Sequence, residues 1–393
     1  MRGILALAIF AFAGWAPGPA EAQPLANRLA AEASPFLREH AADPIAWQPH
    51  DEEAFRAAAR LDRPLFVSVG YATCSGCLRM SEESFPDPAV AAALGAGFVP
   101  VLVDRDASPA LADAYARIAA GMGAAVGYPL HLFLLPDGSP FHVATYLPRH
   151  DRPGAPGILT VLASVTRALG SGRETLARRG AALREDVARE LSVANPPAAL
   201  GPGPEALVEA VEAQRQGLDP EWGGRLRLPK RPVEPSVALL LRYGRRSGDA
   251  GARKTALRAL ERMAGAPIRS EDGGFHEAAA ARDWSAPRAD QRLADNARLA
   301  IAYLEAWQVS GEGSFRDSAR GVLEFLRRRL AAPNGGFVTA RSGDRVDPQQ
   351  PAGGNALALS ALARAGFAFG EPRTVEAAKV TARFLLDTLR GRD

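Results

Sequence analysis

Between residues 65 and 146 the chain alternates short apolar, often β-branched runs with stretches of helical periodicity. Leu65 to Val69 and Phe98 to Val103 read as strands, the segment from Cys74 through Met80 as a helix start, and Pro88 to Leu94 as further helix. Pro109 to Ala120 places Leu111, Tyr115 and Ile118 at helical spacing. Leu130 to Leu135 and Phe141 to Tyr146 flank Pro136-Asp137-Gly138-Ser139, where Asp-Gly supplies the backbone angles of a tight turn. A helix near Gly157 to Leu169 follows. The predicted order is β-α-β-α-β-β-α, with a crossover between the first two strands and an antiparallel hairpin for the last two.

Beyond this point the pattern changes. Arg173 to Ser192 reads as a charged amphipathic helix, and Ala194 to Pro204 is a Pro/Gly-rich linker. Long Ala/Leu/Arg helices then take over, with almost no strand signal: Glu205 to Leu218, Ser236 to Ser247, Ala252 to Ala264, Ala289 to Val309, Phe315 to Leu330, Asn355 to Phe367 and Thr374 to Leu389. Trp222-Gly223-Gly224, Asp272-Gly273-Gly274-Phe275 and Asn334-Gly335-Gly336-Phe337 each follow a helix, at spacings of 50 and 62 residues. Such repeated turns between helical hairpins predict an all-α (α/α) toroid-like or open helical-hairpin domain, with the turns at its ligand-facing rim. The expected division is 1–22 leader, 23–170 α/β domain, 171–204 helix and linker, and 205–393 helical domain.

The candidate chemistry sits at the first strand-to-helix junction. The only two cysteines, Cys74 and Cys77, lie in Thr73-Cys74-Ser75-Gly76-Cys77, directly after the Leu65–Val69 strand. A helix start supplies free N–H groups and the positive end of the dipole, which favour a thiolate on Cys74. Cys77, one turn further in and expected to be the more buried, is placed to resolve a mixed disulfide. This is a thioredoxin-like arrangement. Tyr128-Pro129 precedes the third strand, where such folds carry a cis proline opposite the cysteines. There the Tyr128 backbone would pair with an extended client. Arg79 is a weaker candidate for favouring the thiolate. A structural disulfide remains open, as does a soft-metal site built from Cys74, Cys77 and Met80, with His131 or His142 as further ligands. No second Cys pair completes a zinc site, and the expectation is no metal and no cofactor.

Composition narrows the setting. Met1-Arg2-Gly3 followed by an apolar stretch to Ala13 and then Ala20-Glu21-Ala22 reads as a cleaved export signal, with a mature chain from Gln23 in the periplasm or outside the cell. No stable membrane anchor is expected after cleavage. A net charge of +3 spread among Ala-rich helices lacks the basic and aromatic stripe of a nucleic-acid binder. The partners expected are protein thiols or disulfides and an unidentified redox partner.

Asn27-Arg28-Leu29, Ser34-Pro35-Phe36-Leu37, His40, Asp43-Pro44, Trp47, Gly70-Tyr71-Ala72-Thr73-Cys74, Glu83-Ser84-Phe85, Val103-Asp104-Arg105 and Tyr128-Pro129-Leu130 together resemble the YyaL / spermatogenesis-associated thioredoxin-like family. That resemblance implies a thioredoxin-like domain followed by an α/α toroid similar to six-hairpin glycosidases and sugar epimerases. The family's His and Trp between the cysteines are Ser75 and Gly76 here, and the His after them is Leu78. In the second half Asp219, Gly273-Gly274-Phe275-His276, Trp284 and Asp295-Asn296-Ala297 match. Asp219, His276, Asp283, Trp284 and Asp295 are therefore candidate rim residues for a glycan or protein ligand, should the Gly-Gly loops converge. The expected activity is thiol-disulfide exchange at Cys74 and Cys77. The alternatives are a non-catalytic binding or scaffold protein and a copper-type metal handler.

Overall fold

The computed structural model describes residues 25–193, 203–232 and 235–389. The expected leader and residues 194–202 of the linker lie outside the described residues.

The first domain runs α1 (Pro35–Glu39), α2 (Glu52–Leu61), β1 (Leu65–Gly70), α3 (Ser75–Glu83), α4 (Pro88–Gly97), β2 (Val99–Asp104), α5 (Pro109–Gly121), β3 (Leu130–Leu134), β4 (Pro140–Ala144) and α6 (Ile158–Val193). Helix starts follow local chemistry: Ser34 and Asp51 accept backbone N–H bonds from Leu37 and Ala54, and proline occupies the first turn of α1, α4 and α5. The sheet order is β2-β1-β3-β4. Strands β1 and β2 are parallel from Leu65↔Val99 to Gly70↔Asp104, whereas β3 is antiparallel to both β1 and β4. Alternate strand residues feed two cores. Phe66, Leu102 and Phe133 pack with Trp47, Met80 and Phe85, while Val67, Val69, Leu130 and Leu132 pack under α2 and α5.

This pairing decides where chemistry can sit. The carboxyl ends of β1 and β2 and the amino end of β3 share one edge, so Tyr71–Cys74, Arg105–Asp106 and Tyr128–Pro129 all emerge there. Helix α6 merges the two helices expected at 157–169 and 173–192 across a kink at Gly172. Its second half packs on the same domain, with Val187 in the core beside α5 and Arg184 bonded to the Asp137 carbonyl. The helical segment of 171–204 is thus the end of the first domain by packing.

The second domain runs α7 (Pro204–Gln216), α8 (Pro235–Ser247), α9 (Ala250–Ala264), β5 (Asp290–Arg292), α10 (Leu293–Ser310), α11 (Gly313–Phe325), β6 (Ala340–Ser342), β7 (Arg345–Asp347), α12 (Ala352–Phe369) and α13 (Pro372–Phe384). The pairs α8–α9, α10–α11 and α12–α13 are helical hairpins, and α10 packs between α8 and α12. The result is an open array of helical hairpins following a thioredoxin-like domain. The small sheet β5-β6-β7 departs from the helical pattern. Three-residue strands such as Asp-Gln-Arg carry no alternation to detect, which is why Ala289 read as the start of α10.

The Gly-Gly repeat has a packing cause. Each loop is closed by one backbone bridge, Leu218–Arg225, Arg269–Phe275 and Ala331–Phe337. Gly273 has φ +89, and a Cβ there would lie 2.7 Å from the Gly321 carbonyl oxygen on α11. In the second and third repeats one asparagine secures the loop to the next helix. Asn296 accepts from Phe275 N–H at 2.7 Å and donates to the Phe275 and Arg292 carbonyls, and Asn355 does the same for Phe337 and Pro351.

Asn296→Ala leaves a buried N–H and two carbonyls short of partners, so we expect a loss of about 2–3 kcal/mol, read as a lower urea midpoint of the helical domain. An unchanged midpoint would show that this bond set does not anchor the repeat.

Candidate functional site

Strand β1 delivers the chain to the sheet edge, and Tyr71-Ala72-Thr73 turns it into Cys74, the N-cap of α3. Cys74 and Cys77 are joined in a disulfide with a Cα separation of 5.2 Å, and Cys74 Sγ accepts the Cys77 N–H at 3.1 Å. The Tyr128–Pro129 peptide opposite is cis. A Cβ at Gly76 would lie 2.8 Å from Pro129 Cδ, and one at Gly70 would lie 3.1 Å from Cys77 Sγ, so glycine at both positions lets the loops close on the sulfurs. The rings of Tyr71 and Tyr128 meet edge to face at 5.8 Å and pack with both cysteines. Behind α3, Ser81 Oγ donates to the Cys77 carbonyl at 3.0 Å and sits 3.3 Å from His40 Nε2. His40 Nδ1 is 2.7 Å from Asp43, which also accepts from Trp47 Nε1 at 2.9 Å. This chain fixes the back of the cysteine helix to the α1 loop.

Cys77 is not the more buried of the pair. Cys74 is 2 % exposed and Cys77 4 %, because the loop ahead of Cys74 is itself covered, with Tyr71 1 % and Thr73 0 % exposed. The cover is the helical domain. Tyr71 Oη lies 3.1 Å from Glu277 Oε2 and 3.4 Å from Asp290 Oδ2. Arg105 stacks on the Tyr71 ring at 3.3 Å and reaches Glu277 at 3.5 Å. Arg292 holds Asp106 through two bonds of 3.0 and 2.7 Å. Arg345 donates to the Ala72 carbonyl at 2.5 Å and pairs with Glu39, and Gln349 donates to Asp104 at 2.8 Å. Ser34 Oγ donates to the same Asp104 carboxylate at 2.6 Å.

Burial and charge split the carboxyls of this cluster. Burial pushes Glu277 up, but Arg105, Arg231 and Arg292 outweigh it and hold the group at about 2. Burial and the neighbouring Glu277 charge push Asp290 up to about 6. Asp347 rises to about 6 through burial, with Asp106 and Asp104 adding repulsion. Asp290 Oδ1, Asp347 Oδ2 and Arg105 Nη2 are buried with no hydrogen-bond partner.

Residues 26–188 match the Thioredox_DsbH family model, described as a protein of unknown function, DUF255. The first domain belongs to the DUF255 thioredoxin-like family. The chain is also 34 % identical over 351 residues to spermatogenesis-associated protein 20 of Rattus norvegicus, covering 86 % of this chain and 44 % of the relative. It is 34 % identical to the Homo sapiens protein of the same name, covering 82 % and 42 %. The chain thus spans under half the length of the curated relatives it matches. Among solved structures, D-mannose isomerase aligns with a TM-score of 0.38 at 17 % identity, covering 46 % of this chain and 49 % of that one. Cellobiose 2-epimerase from Spirochaeta thermophila aligns with 0.39 at 17 % identity, covering 46 % and 54 %.

Of the expected rim, Asp295 is raised by burial and lies near Arg292 and Glu277. His276 precedes Glu277 and is lowered by burial, with its Nδ1 buried and unpartnered. The other three hold the fold together or face solvent. Asp219 is buried between Lys230 at 3.0 Å and Arg282 at 2.8 Å, and Trp284 is buried with Nε1 on the Trp222 carbonyl at 2.7 Å. Asp283 is exposed in a turn with Ser285. None of the five lines the cavity of about 530 Å³ between α8, α10 and α12. The five therefore do not converge as a rim, because the Gly-Gly loops each grip the second helix of a hairpin.

The soft-metal set is also dispersed. Both sulfurs are tied in the disulfide, and Met80 Sδ lies in the core 3.3 Å from His131 Nε2, where burial holds His131 down at about 3. His142 is exposed on β4, and Arg79 lies above the Tyr146 ring at 5.5 Å. The residues that do converge, Tyr71, Arg105, Asp106, Glu277, Asp290 and Arg292, were not among the expected site residues, although Tyr71 and Arg105 fall in the motifs that carry the family resemblance. The available signal was Asp104-Arg105-Asp106 at the carboxyl end of a strand parallel to the one that delivers the cysteines.

A pH dependence follows from these carboxyls. Asp290 is faced by Tyr71, Glu277, Arg105, Arg292 and Ser342, and Asp347 by Asp104, Asp106 and Gln349. Both are raised from 3.8 to about 6, so their contribution is full below 3.8 and is lost as pH rises through 6. Glu277 is depressed from 4.5, so its contribution is full above 4.5 and falls below it. From these three groups the urea midpoint should be highest near about pH 4, decline from there to about pH 6 as the unfolded chain loses protons that native Asp290 and Asp347 still hold, and level off above it. In Asp290→Asn/Asp347→Asn that decline should flatten; an equally steep decline would assign it to other groups.

Proposed function

We propose that the chain is an exported thiol-disulfide oxidoreductase that acts on protein thiols through Cys74 and Cys77. The observation that carries this reading is the disulfide at the start of α3, with Cys74 Sγ on the Cys77 N–H and Pro129 packed against Gly76 between the cysteines. A helix N-terminus lowers the energy of a thiolate at Cys74, which makes that sulfur both the better leaving group and the attacking nucleophile. In the oxidising direction a client thiolate attacks Cys74, forming a client–Cys74 disulfide and releasing Cys77 as a thiolate that takes up a proton. A second client thiolate then attacks the client sulfur of that bond. Cys74 leaves as a thiolate, the client is oxidised by two electrons, and the pair is reduced. The reverse direction consumes a dithiol reductant of the same stoichiometry.

The leader-like segment ending Ala20-Glu21-Ala22 supports an oxidising compartment such as a periplasm, where such a pair needs an external redox partner. The membership of the DUF255 thioredoxin-like family supports redox chemistry of this general type.

Redox titration of the chain from Gln23 in glutathione or dithiothreitol buffers should give a reversible two-electron transition between about −120 and −270 mV. Cys74→Ser should abolish exchange with a model dithiol, and Cys77→Ser should accumulate the mixed disulfide. A disulfide that resists reduction well below about −300 mV, with no mixed disulfide in Cys77→Ser, would mark a structural staple instead.

A further inference from the structure

We infer that the helical domain is a reversible lid on the cysteine pair: docked, the chain exchanges with small thiols, and protein clients gain Cys74 only when the interface opens. This inference rests on the thiol-exchange reading above and concerns who reaches the sulfurs.

Three observations support it. The four residues Tyr71 to Cys74 are each no more than 2 % exposed, and two of them are held from the helical domain, Tyr71 by Glu277 and Asp290 and the Ala72 carbonyl by Arg345. An extended client beside Pro129 would need the edge that Tyr71, Arg105 and Tyr128 occupy against that domain. Ser75, by contrast, is exposed and Gly76 half-exposed, so the cover is thinnest at the two residues between the cysteines, where a small reagent has least to displace.

The contact is also built to separate. Among the described residues no hydrophobic cluster spans the two domains; the joining groups include Glu39, Tyr71, the Ala72 carbonyl, Asp104, Arg105 and Asp106 on one side and Glu277, Asp290, Arg292, Arg345 and Gln349 on the other. Water can replace such partners on opening, whereas it cannot replace apolar burial. Docking moreover leaves Arg105 Nη2, Asp290 Oδ1 and Asp347 Oδ2 buried and unpaired, and each regains a partner when water enters. Polar inter-domain contacts of this kind permit relative motion by default.

The reaction used as a probe is reduction of the Cys74–Cys77 disulfide by a dithiol. One reductant thiolate attacks Cys74 and Cys77 leaves with a proton; the second reductant thiolate then displaces Cys74. Two electrons and two protons pass to the pair, and the reductant becomes a disulfide. The rate is measured on the full chain with dithiothreitol and with reduced thioredoxin as reagents. Arg292→Ala and Asp106→Asn open the interface from opposite sides, and Arg242→Ala, whose partner Glu305 is remote from it, is the control.

We expect the thioredoxin rate to rise at least about tenfold in both interface variants, the dithiothreitol rate to stay within about threefold, and the control to match the parent in both. Because either variant could lose its fold, the parent chain is also measured at about 0.05 and 0.5 M NaCl, where screening should raise its thioredoxin rate and leave that of Asp106→Asn unchanged. Unchanged thioredoxin rates in the variants and in salt would overturn the lid, as would equal acceleration by both reagents. A disulfide that neither reagent reduces in any form would instead sink thiol exchange itself.

Discussion

The bidentate pair between Arg292 and Asp106, with Tyr71 between Glu277 and Asp290, is the constraint on which the relation of the two domains depends. Buried charges are tolerated only when paired, and here the partners come from opposite domains. Removing one partner of such a pair characteristically costs about 3–5 kcal/mol, because the other charge is left buried and alone. Burial opposes the charge on Arg292, but Asp106 and Glu277 outweigh it and raise the guanidinium further. The same groups bracket Tyr71, three residues before Cys74. The redox loop and the inter-domain contact are therefore one piece of structure.

Much of the fold was legible because its determinants are local. The hairpin at Asp137-Gly138 and the β-branched runs of β1 and β2 act within a few residues, whereas α1 and α2, capped just as locally by Ser34 and Asp51, were not among the expected elements. The Gly-Gly repeat was visible as a period, but its meaning was not. Its glycines are required by contacts with Ala259, Gly321 and Val380, which lie 36, 48 and 45 residues further along the chain. Packing at that range leaves no pattern in the loop itself. The break at Gly172 was legible: the two helical stretches expected on either side of it meet at a residue with non-helical angles, φ −146 and ψ 21.

The site divides along the same line. Cys74, Cys77, Tyr128 and Pro129 can be placed from sequence because strand order puts the end of β1 and the start of β3 at one edge. Glu277, Asp290 and Arg292 could not be, since each is an isolated charge whose partner is 172 to 219 residues away, and an isolated charge ordinarily faces solvent. The expected rim failed for a related reason. Asp219 looked like a free carboxylate in a glycine-rich loop, but Lys230 and Arg282 hold it in a buried ion cluster far below its usual range. Carboxylates beside Gly-Gly turns are thus divided between scaffold and interface by the cations that reach them.

The position of Arg345 ties the two levels together. Its Nε holds the Ala72 carbonyl, so whatever conformation the Tyr71–Cys74 loop takes is sensed by a strand of the helical domain. Thiol exchange with a protein client at Cys74 must alter this loop, because an extended client needs a line of approach that the docked chain does not provide. Any preference of the helical domain for one redox form of the loop is matched by an equal preference of that redox form for the docked domain, since coupling free energies are reciprocal. A polar interface suits such coupling better than an apolar one would. Its strength is set by a few directed bonds that a small shift of the loop can break, whereas buried apolar area changes little with a displacement of that size.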